Sequence, residues 1–246
     1  MTPPPFLTRL GWSRPPTPVH GHDVVTVELQ GMGSLRLARW LHPLARRAPV
    51  SLEATRVTAM QAHLRAGDTA VVIGAGQGAE ALELGLAVGP SGAVVALEAD
   101  RAVFPVLGAN GALNRDRLRL YPHLVAVAGT DAPPPPFGVA SQPLEPFLRA
   151  RHAGLVDRLR WISLPVGAGG PSLLAALGPL LAAFRPVVRC RVDRTARRPQ
   201  RQALLSCFGE LGYRVERFAW DGAAPAEPLG AANLMRWKQL DVLAVP

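Results

Sequence analysis

The fold of this chain is decided by residues 68–100, which read DTAVVIGAGQGAEALELGLAVGPSGAVVALEAD. The continuous run from Thr69 to Ile73 is typical of a strand that is buried on both faces of a parallel sheet. A glycine loop leads from it into a helix predicted over 78–88, and residues 93–97 predict a second strand. A strand, a helix and a strand in this order indicate a βαβ unit and hence a parallel sheet.

The alternation of strands and helices continues to the end of the chain. We therefore predict an α/β fold with a Rossmann-like, doubly wound, mostly parallel sheet of seven strands. The elements predicted after the βαβ unit are a helix over 101–114, strand segments near 118–121 and 124–128, a rigid loop over 130–143, a strand at 160–164, a helix at 171–184, a strand at 186–192, a helix at 199–211 and an antiparallel pair at 213–219 and 240–245.

The residues before the glycine loop predict a small extension. A proline-rich start is expected to form a flexible leader. The patterns after it predict strands 24–29 and 34–37 joined by Gly-Met-Gly, then helices 38–47 and 52–65, the second with Ser51 as its N-cap. The predicted units are the leader 1–20, an N-terminal hairpin with helices 21–66 packed on the core, and the α/β domain 67–246.

Composition excludes several classes of protein. The 246 residues are 48% hydrophobic and 18% charged, which excludes a disordered or coiled-coil protein. Two cysteines, Cys190 and Cys207, are too few for a disulfide scaffold or a four-ligand zinc site, and we expect buried or half-buried thiols. The longest apolar stretch, 171–184, is shorter than the ~20 residues that span a bilayer. We expect a soluble, cytoplasmic protein with no membrane partner.

The positive charge is concentrated in one stretch. The net charge is +9, and Lys238 is the single lysine among 27 basic residues. A run of arginines could bind phosphates, but it lacks interleaved aromatic residues and any nucleic-acid motif. A solvated or anion-facing edge is favoured, and nucleic acid is not expected as a partner. The run consists of Arg185, Arg189, Arg191, Arg194, Arg197, Arg198 and Arg201.

The glycine loop over 74–78 is the candidate binding site. Glycine permits positive φ and close approach of a ligand, and backbone N–H groups at a helix start point toward whatever binds. Glu98 follows Gly78 by 20 residues at the end of the next strand, where a carboxylate can accept both hydroxyls of a ribose. Together they indicate a nucleoside-type cofactor, although a tight turn and a solvated acid would give the same residues. Residues 74–79 also fit the dinucleotide pattern G-x-G-x-x-G/A.

A longer pattern runs through the same region. Residues of the motifs GD-x-V-x-D-x-G-A-x-x-G, G-P-x-G-x-V-x-A-x-E-P and N-x-x-x-N fall in register, and similarity resumes at 159–168, at 173–192 and at the final DVLAVP. With these motifs the chain resembles the FkbM family of S-adenosylmethionine-dependent methyltransferases over roughly residues 50–246. The residues in register are Gly67, Asp68, Gly74, Ala75, Gly78, Gly89, Pro90, Gly92, Glu98, Asn110 and Asn114.

The resemblance implies a class I methyltransferase-type sheet, a methyltransferase-like domain over 67–246 and S-adenosyl-L-methionine as the cofactor. It implies that the glycine loop lines the methionine end of that cofactor, that Glu98 holds the ribose and that the residues after the third strand flank the adenine. The cofactor-binding residues implied in this way are Gly74, Ala75, Gly76, Gly78, Glu98, Ala128, Gly129 and Asp131.

The chain departs from the family pattern at four acids. The family acid in the first strand is Val72 here, and the K-I-D-V-E-G motif aligns with residues 163–168, so that Pro165 and Gly167 replace two more. The glutamate of the following strand is replaced by Arg191. We expect Arg191 to bring positive charge toward the site and to favour S-adenosylhomocysteine over the cationic donor. These replacements leave open whether the enzyme is active.

The sequence does not identify a catalytic base. His123 and His152 are the candidates, because they lie near the predicted cofactor face, and the six histidines show no metal-ligand spacing. The expected function is O-methylation of a hydroxyl on a small molecule, sugar or polyketide-like acceptor. The alternatives are a catalytically degenerate methyltransferase-fold binding or scaffold protein and, more distantly, an NAD-dependent oxidoreductase. The oligomeric state is not predicted.

Overall fold

The structure is a computed structural model that describes residues 20–43, 45, 50–129, 139–167, 170–218, 220 and 227–246. The predicted leader lies outside these residues except for His20, and so does most of the proline-rich loop over 130–143. Among the helices that are described, none is long and apolar enough to cross a membrane.

The described residues form twelve strands and six helices, numbered here in chain order. The strands are β1 (His22–Leu29), β2 (Gly33–Trp40), β3 (Thr69–Ile73), β4 (Ala93–Glu98), β5 (Leu120–Leu124), β6 (Ala126–Val127), β7 (Ser141–Gln142), β8 (Leu159–Val166), β9 (Val187–Val192), β10 (Arg214–Arg217), β11 (Glu227–Pro228) and β12 (Leu240–Val245). The helices are α1 (Ala54–Gln61), α2 (Ala79–Val88), α3 (Phe104–Leu113), α4 (Leu144–Val156), α5 (Gly170–Phe184) and α6 (Arg198–Glu210).

Eight strands form one central sheet in the order β11-β10-β12-β9-β8-β3-β4-β5. Pairing is parallel from β5 through β4, β3 and β8 to β9, and antiparallel where β12 lies between β9 and β10. This confirms the predicted Rossmann-like, doubly wound, mostly parallel sheet. The strand beyond the predicted seven is β11, a two-residue edge strand whose proline has no N–H to donate to a neighbour.

The central strands are buried on both faces, as their apolar runs predict. Every residue of β3 and of β4 is buried. Val71 and Ile73 pack with residues of α4, α5 and α6, whereas Ala70 and Val72 pack with residues of α1, α2 and α3. Because helices cover both faces, a ligand reaches the sheet at the ends of its strands.

The two cysteines are free thiols, as predicted, with Cys190 buried and Cys207 half-buried. Burial raises the pKa of both thiols, most strongly that of Cys190. A thiol with a raised pKa is a poor nucleophile at neutral pH. We therefore assign neither cysteine a chemical role.

The N-terminal hairpin forms a separate two-stranded sheet of β1 and β2. The predicted strands 24–29 and 34–37 are confirmed, and both are longer than predicted. The helix predicted over 38–47 is wrong in its first three residues, because residues 38–40 belong to β2. Residues 44, 46 and 47 of that helix lie outside the described residues.

Two asparagines of the N-x-x-x-N motif fasten the free edge of β2 to α3. Asn110, which is fully buried, accepts from the N–H of Ala38 at 2.7 Å and donates to its carbonyl at 3.0 Å. Asn114 accepts from the N–H of Arg36 at 2.9 Å and donates to its carbonyl at 2.7 Å. Each side-chain amide thus takes the place of a residue in a neighbouring strand, which explains why the strand continues beyond residue 37.

Two further side chains complete this edge. The N–H of Trp40 donates to Gln77 Oε1 at 2.7 Å, which joins the hairpin to the glycine loop. Arg117 donates to the carbonyls of Ser34 and Met32 at 2.5 and 2.7 Å. The backbone groups of β2 that point away from β1 are therefore hydrogen-bonded to side chains. These hydrogen bonds hold the hairpin against the glycine loop.

The first described helix begins later than predicted. The N-cap of α1 is Glu53 and not Ser51, and the helix ends at Gln61 within the predicted range 52–65. The hydroxyl of Ser51 donates to Glu53 Oε1 at 3.1 Å instead of to a helix N–H. The predicted N-cap is therefore wrong, because a tertiary contact of Glu53 decides where the helix starts: its N–H donates to Glu83 Oε1.

The 13-residue helix α4 lies where no helix was predicted. Its sequence LEPFLRARHAGLV contains Pro146 and Gly154, which favour a loop. Pro146 lies in the first turn of the helix, where backbone N–H groups have no acceptor within the helix, so its lack of an N–H costs no hydrogen bond. His152 has non-helical φ and ψ of −143° and 38°, so the helix is kinked there.

Candidate active site

The glycine loop lies where the strand order of the sheet reverses. The chain passes from β3 to β4 on one side, and β8 pairs with β3 on the other. In open α/β sheets such a reversal leaves a crevice at the carboxyl ends of the strands, and ligands bind there. The loop after β3 is thus the candidate binding site on topology alone.

All three glycines of the loop, Gly74, Gly76 and Gly78, have a positive φ that other residues rarely adopt. Gly76 has a φ of +56°, and a Cβ built on it would meet no atom within 4 Å. Gly78 has a φ of +94° and is the N-cap of α2, and a Cβ there would lie 2.6 Å from a methyl carbon of Leu107. The loop therefore packs closely against α3 at Gly78 and leaves open space in front of Gly76.

Glu98, the last residue of β4, contacts the glycine loop. Its side chain is buried, and Oε2 accepts from the N–H of Gly76 at 2.6 Å. Oε1 accepts from the N–H groups of Ala99 and Asp100 at 2.8 and 2.7 Å. A carboxylate has about four acceptor positions. Oε2 therefore keeps one acceptor position beside the glycine loop. Glu98 holds this loop in place through its hydrogen bond to Gly76.

Three of the positions where acids are replaced lie in different environments. Val72 is 2% exposed in the apolar layer under α2, where it packs with other apolar side chains. Pro165 is exposed and lies against the loop, with its Cγ 3.3 Å from where a Cβ of Gly74 would be. Gly167 lies just beyond β8, and its Cβ would come within 3.0 Å of Asp193 Oδ2.

Asp193 is the acid that the sequence analysis missed. It follows β9 directly, and its Oδ1 accepts from the N–H and the hydroxyl of Thr195 at 2.6 and 2.5 Å. These hydrogen bonds hold the pKa of Asp193 below its ordinary value, and the bond from the Thr195 hydroxyl has the largest effect. Its carboxylate thus lies where a side chain at position 167 would extend. An acid directly after a predicted strand was the signal that could have revealed it.

Glu80 joins the first turn of α2 to the neighbouring strands. Its two carboxylate oxygens accept from the hydroxyl of Ser163 on β8 and from Arg189 on β9. The buried guanidinium of Arg189 also donates to Asp241 and lies 4.8 Å from the ring centre of Trp220. A buried cation with two carboxylate partners is electrostatically balanced.

The cationic wall expected from Arg191 is not formed. The Arg191 side chain is 62% exposed, and its guanidinium lies 3.8 Å from Glu80. The buried arginine on this strand is Arg189, which two acids neutralise. The physical cause that we expected to favour S-adenosylhomocysteine over the cationic donor is therefore absent.

The arginine run does not form one solvated edge. Arg189 and Arg201 are buried, and Arg185 donates to the carbonyls of Leu211 and Gly212. These three side chains hold elements of the fold together. The exposed members of the run are Arg185, Arg191, Arg194, Arg197 and Arg198.

The two candidate histidines lie together, away from β8. His123 Nε2 and His152 Nε2 are 2.8 Å apart, so one ring donates to the other. Burial is the main cause that lowers the pKa of both rings. His123 belongs to the edge strand β5, and β4 and β3 separate it from β8. Their role as a base stays a prediction.

The predicted adenine-side residues are described in part. The N–H of Ala128 donates to the carbonyl of Gln142 at 2.9 Å. Gly129 packs against the first turn of α5, where a Cβ would lie 2.7 Å from Ser172 Oγ. Asp131 lies outside the described residues. Their contact with a cofactor stays a prediction.

The chain is similar at low identity to several solved structures. One is the methyltransferase FkbM from Methylobacillus flagellatus KT, with 16% identity, a TM-score of 0.49 and coverage of 73% of this chain and 44% of that chain. Fibrillarin from Aeropyrum pernix, solved with natively bound S-adenosyl-L-methionine, has 14% identity, a TM-score of 0.46 and coverage of 93% and 98%. A putative rRNA-methylase from Clostridium thermocellum has 13% identity, a TM-score of 0.47 and coverage of 77% and 93%.

This chain thus spans less than half the length of the FkbM structure. No protein-family model and no curated protein matches the sequence.

Proposed function

We propose that the chain is an S-adenosylmethionine-dependent methyltransferase of the FkbM type that methylates a hydroxyl group on a small molecule, sugar or polyketide-like acceptor. The proposal rests chiefly on the contact between the Gly76 N–H and the Glu98 carboxylate. This contact joins the glycine loop to the acid at the end of the next strand, at the point where the sheet order reverses.

The residues of the crevice fit this cofactor. The open space at Gly76 is where its methionine end would lie, next to Gly74, Ala75 and Gly78. Glu98 would accept a ribose hydroxyl at the remaining position of Oε2. When bound, the cofactor supplies a methyl group on a positively charged sulfur. The chain itself orients the two reactants and excludes water, and Pro165 provides an apolar wall beside the loop for this purpose.

On the acceptor side we assign Asp193 the role that the missing family acid would fill. Its Oδ2 lies at the position that a side chain at residue 167 would reach. Its lowered pKa keeps the carboxylate ionised but makes it a weak base, so its role is to orient the acceptor hydroxyl through a hydrogen bond.

The replaced acids favour a second candidate, a methyltransferase-fold protein that binds without catalysis. Pro165 and Gly167 offer no side-chain acceptor where the family pattern has two acids.

The class of the methyl acceptor is part of the proposal. We propose a small molecule, a sugar or a polyketide-like compound, and not nucleic acid.

Calorimetric titration with S-adenosylmethionine, S-adenosylhomocysteine and NAD tests the cofactor assignment. We expect both sulfur nucleosides to bind at one site. A Gly76→Val variant should lose this binding, because its side chain would enter the open space, while Gly209→Ala on α6 should keep it. Binding of NAD alone would support an oxidoreductase instead, and binding of none of the three would support the scaffold role.

A further inference from the structure

A basic cavity lies at the carboxyl end of β9, between the start of α6 and the segment 235–238. Its volume is about 720 Å³, within the ~300–1,000 Å³ of typical ligand pockets. Trp237 provides an aromatic wall, and the described residues that line the cavity include no acid. The cationic residues that line it are Arg194, Arg197, Arg201, Arg236 and Lys238.

The floor of the basic cavity is a buried cation that lacks a carboxylate partner. Arg201 is 2% exposed, and its guanidinium donates to the backbone carbonyls of Ala196, Leu234, Trp237 and Lys238 at 2.7 to 3.0 Å. Arg201 forms no ion pair with a described residue; burial lowers its pKa, and the more distant charge of Asp193 raises it in part. Buried charges in proteins are ordinarily paired, so an anion in the cavity would offset this one. The four carbonyl contacts also fix the cavity before a ligand arrives.

Three cations at the rim have no carboxylate partner either. Within the part of the chain that is described, no ion pair is formed by Arg194, Arg197 or Lys238. Arg236 differs, because it lies 3.4 Å from a carboxylate oxygen of Glu227 and 5.3 Å from the ring centre of Trp237. Three positively charged side chains therefore remain free to bind a ligand.

We propose that the basic cavity binds the phosphate group of a phosphorylated small molecule. Guanidinium groups donate paired hydrogen bonds to phosphate oxygens, and an ammonium group adds a further charge. Because the cations surround one concavity, a compact phosphate fits them better than an extended nucleic-acid strand. The remaining volume accommodates the organic part of the ligand.

The basic cavity adjoins the acceptor side of the site. Thr195 lines the cavity, and its hydroxyl lies 3.0 Å from where a Cβ of Gly167 would be. A ligand held there by its phosphate would extend toward the end of β8. That this ligand is the methyl acceptor rests on the proposed function, whereas the phosphate site itself does not.

Calorimetry with inorganic phosphate, ribose 5-phosphate, ribose and a single-stranded RNA 12-mer tests the proposal. We expect inorganic phosphate and ribose 5-phosphate to bind at one site and ribose not to bind. Arg194→Gln/Arg197→Gln should weaken phosphate binding at least about tenfold, the loss expected for charged hydrogen bonds. Arg65→Gln/Arg115→Gln removes the same charge from exposed residues away from the cavity and should leave binding unchanged.

Absence of phosphate binding to the native chain would overturn the proposal, and so would equal weakening in both double variants. RNA binding that ribose 5-phosphate does not displace would assign the arginines to a nucleic-acid surface and overturn it as well. S-adenosylhomocysteine is titrated into the same samples. Failure of that ligand to bind would refute the proposed function while the phosphate result stands separately.

Discussion

Glu83 should make the stability of this protein fall as the pH rises from about 4.5 to 7. The side chain is 2% exposed on α2, beside the cavity next to the glycine-loop helix. It accepts from Arg56 Nε at 2.8 Å and from the N–H of Glu53 at 2.9 Å. Burial nevertheless raises the pKa of Glu83 from 4.5 to about 7, because desolvation outweighs these contacts.

The sign and size follow from proton linkage. A folded pKa above the unfolded value means that the native state binds the extra proton between pH 4.5 and 7. The stabilising contribution of Glu83 is therefore complete below pH 4.5 and is lost as the pH rises through 7. At about 1.4 kcal/mol per pKa unit, the change amounts to about 3 kcal/mol.

Urea denaturation of the native chain and of Glu83→Gln, at intervals from pH 4 to 8, measures this effect. The free energy of unfolding of the native chain, minus that of the variant, should fall by about 3 kcal/mol across the range. Glu210→Gln, at an exposed position at the end of α6, is the matched control for the chemical change itself. A flat difference for Glu83→Gln would refute the reasoning, since the pKa of Glu83 would then be the same in the folded and the unfolded chain.

Two further substitutions test how the hairpin and the loop are held. Asn110→Ala should lower the free energy of unfolding by ~1–3 kcal/mol for each buried partner left unpaired, with urea denaturation as the measurement. An unchanged midpoint would mean that water replaces the amide. Gly78→Ala should destabilise by roughly 1–3 kcal/mol, because its φ of +94° is strained for alanine and Leu107 must move. Gly209→Ala, in a helix with open space around it, should instead stabilise by ~0.5–1 kcal/mol, and equal effects of the two glycine substitutions would contradict the assigned strain.

The sheet could be predicted because its strands carry their own signal. Short continuous apolar runs such as 69–73 and 93–97, bounded by turn residues, are typical of fully buried strands in an α/β chain. The helix α4 could not be predicted, since Pro146 and Gly154 each favour a loop and only packing against the sheet overrides them. The two-residue strand β11 is likewise a product of its neighbours.

The candidate site was predictable at the glycine loop and Glu98, where the residue types and their spacing carry the information. The hydrogen bond between Gly76 and Glu98 depends on how β3 and β4 approach each other, which no local pattern specifies. The same holds for Asp193, whose position near residue 167 arises from the pairing of β8 and β9.

The most direct test of the central claim is the affinity of the native chain and of Glu98→Gln for S-adenosylhomocysteine. The substitution keeps the size of the side chain but replaces a carboxylate oxygen with an NH₂ group that cannot accept a hydrogen bond. We predict that calorimetry will show the native chain binding at one site and the variant binding ~1–3 kcal/mol more weakly, or about 5- to 150-fold. Thermal unfolding confirms that the variant is folded, and Glu210→Gln should bind like the native chain. Equal affinity of a folded Glu98→Gln variant, or no binding by the native chain, would contradict the assignment of this loop and acid as the cofactor site.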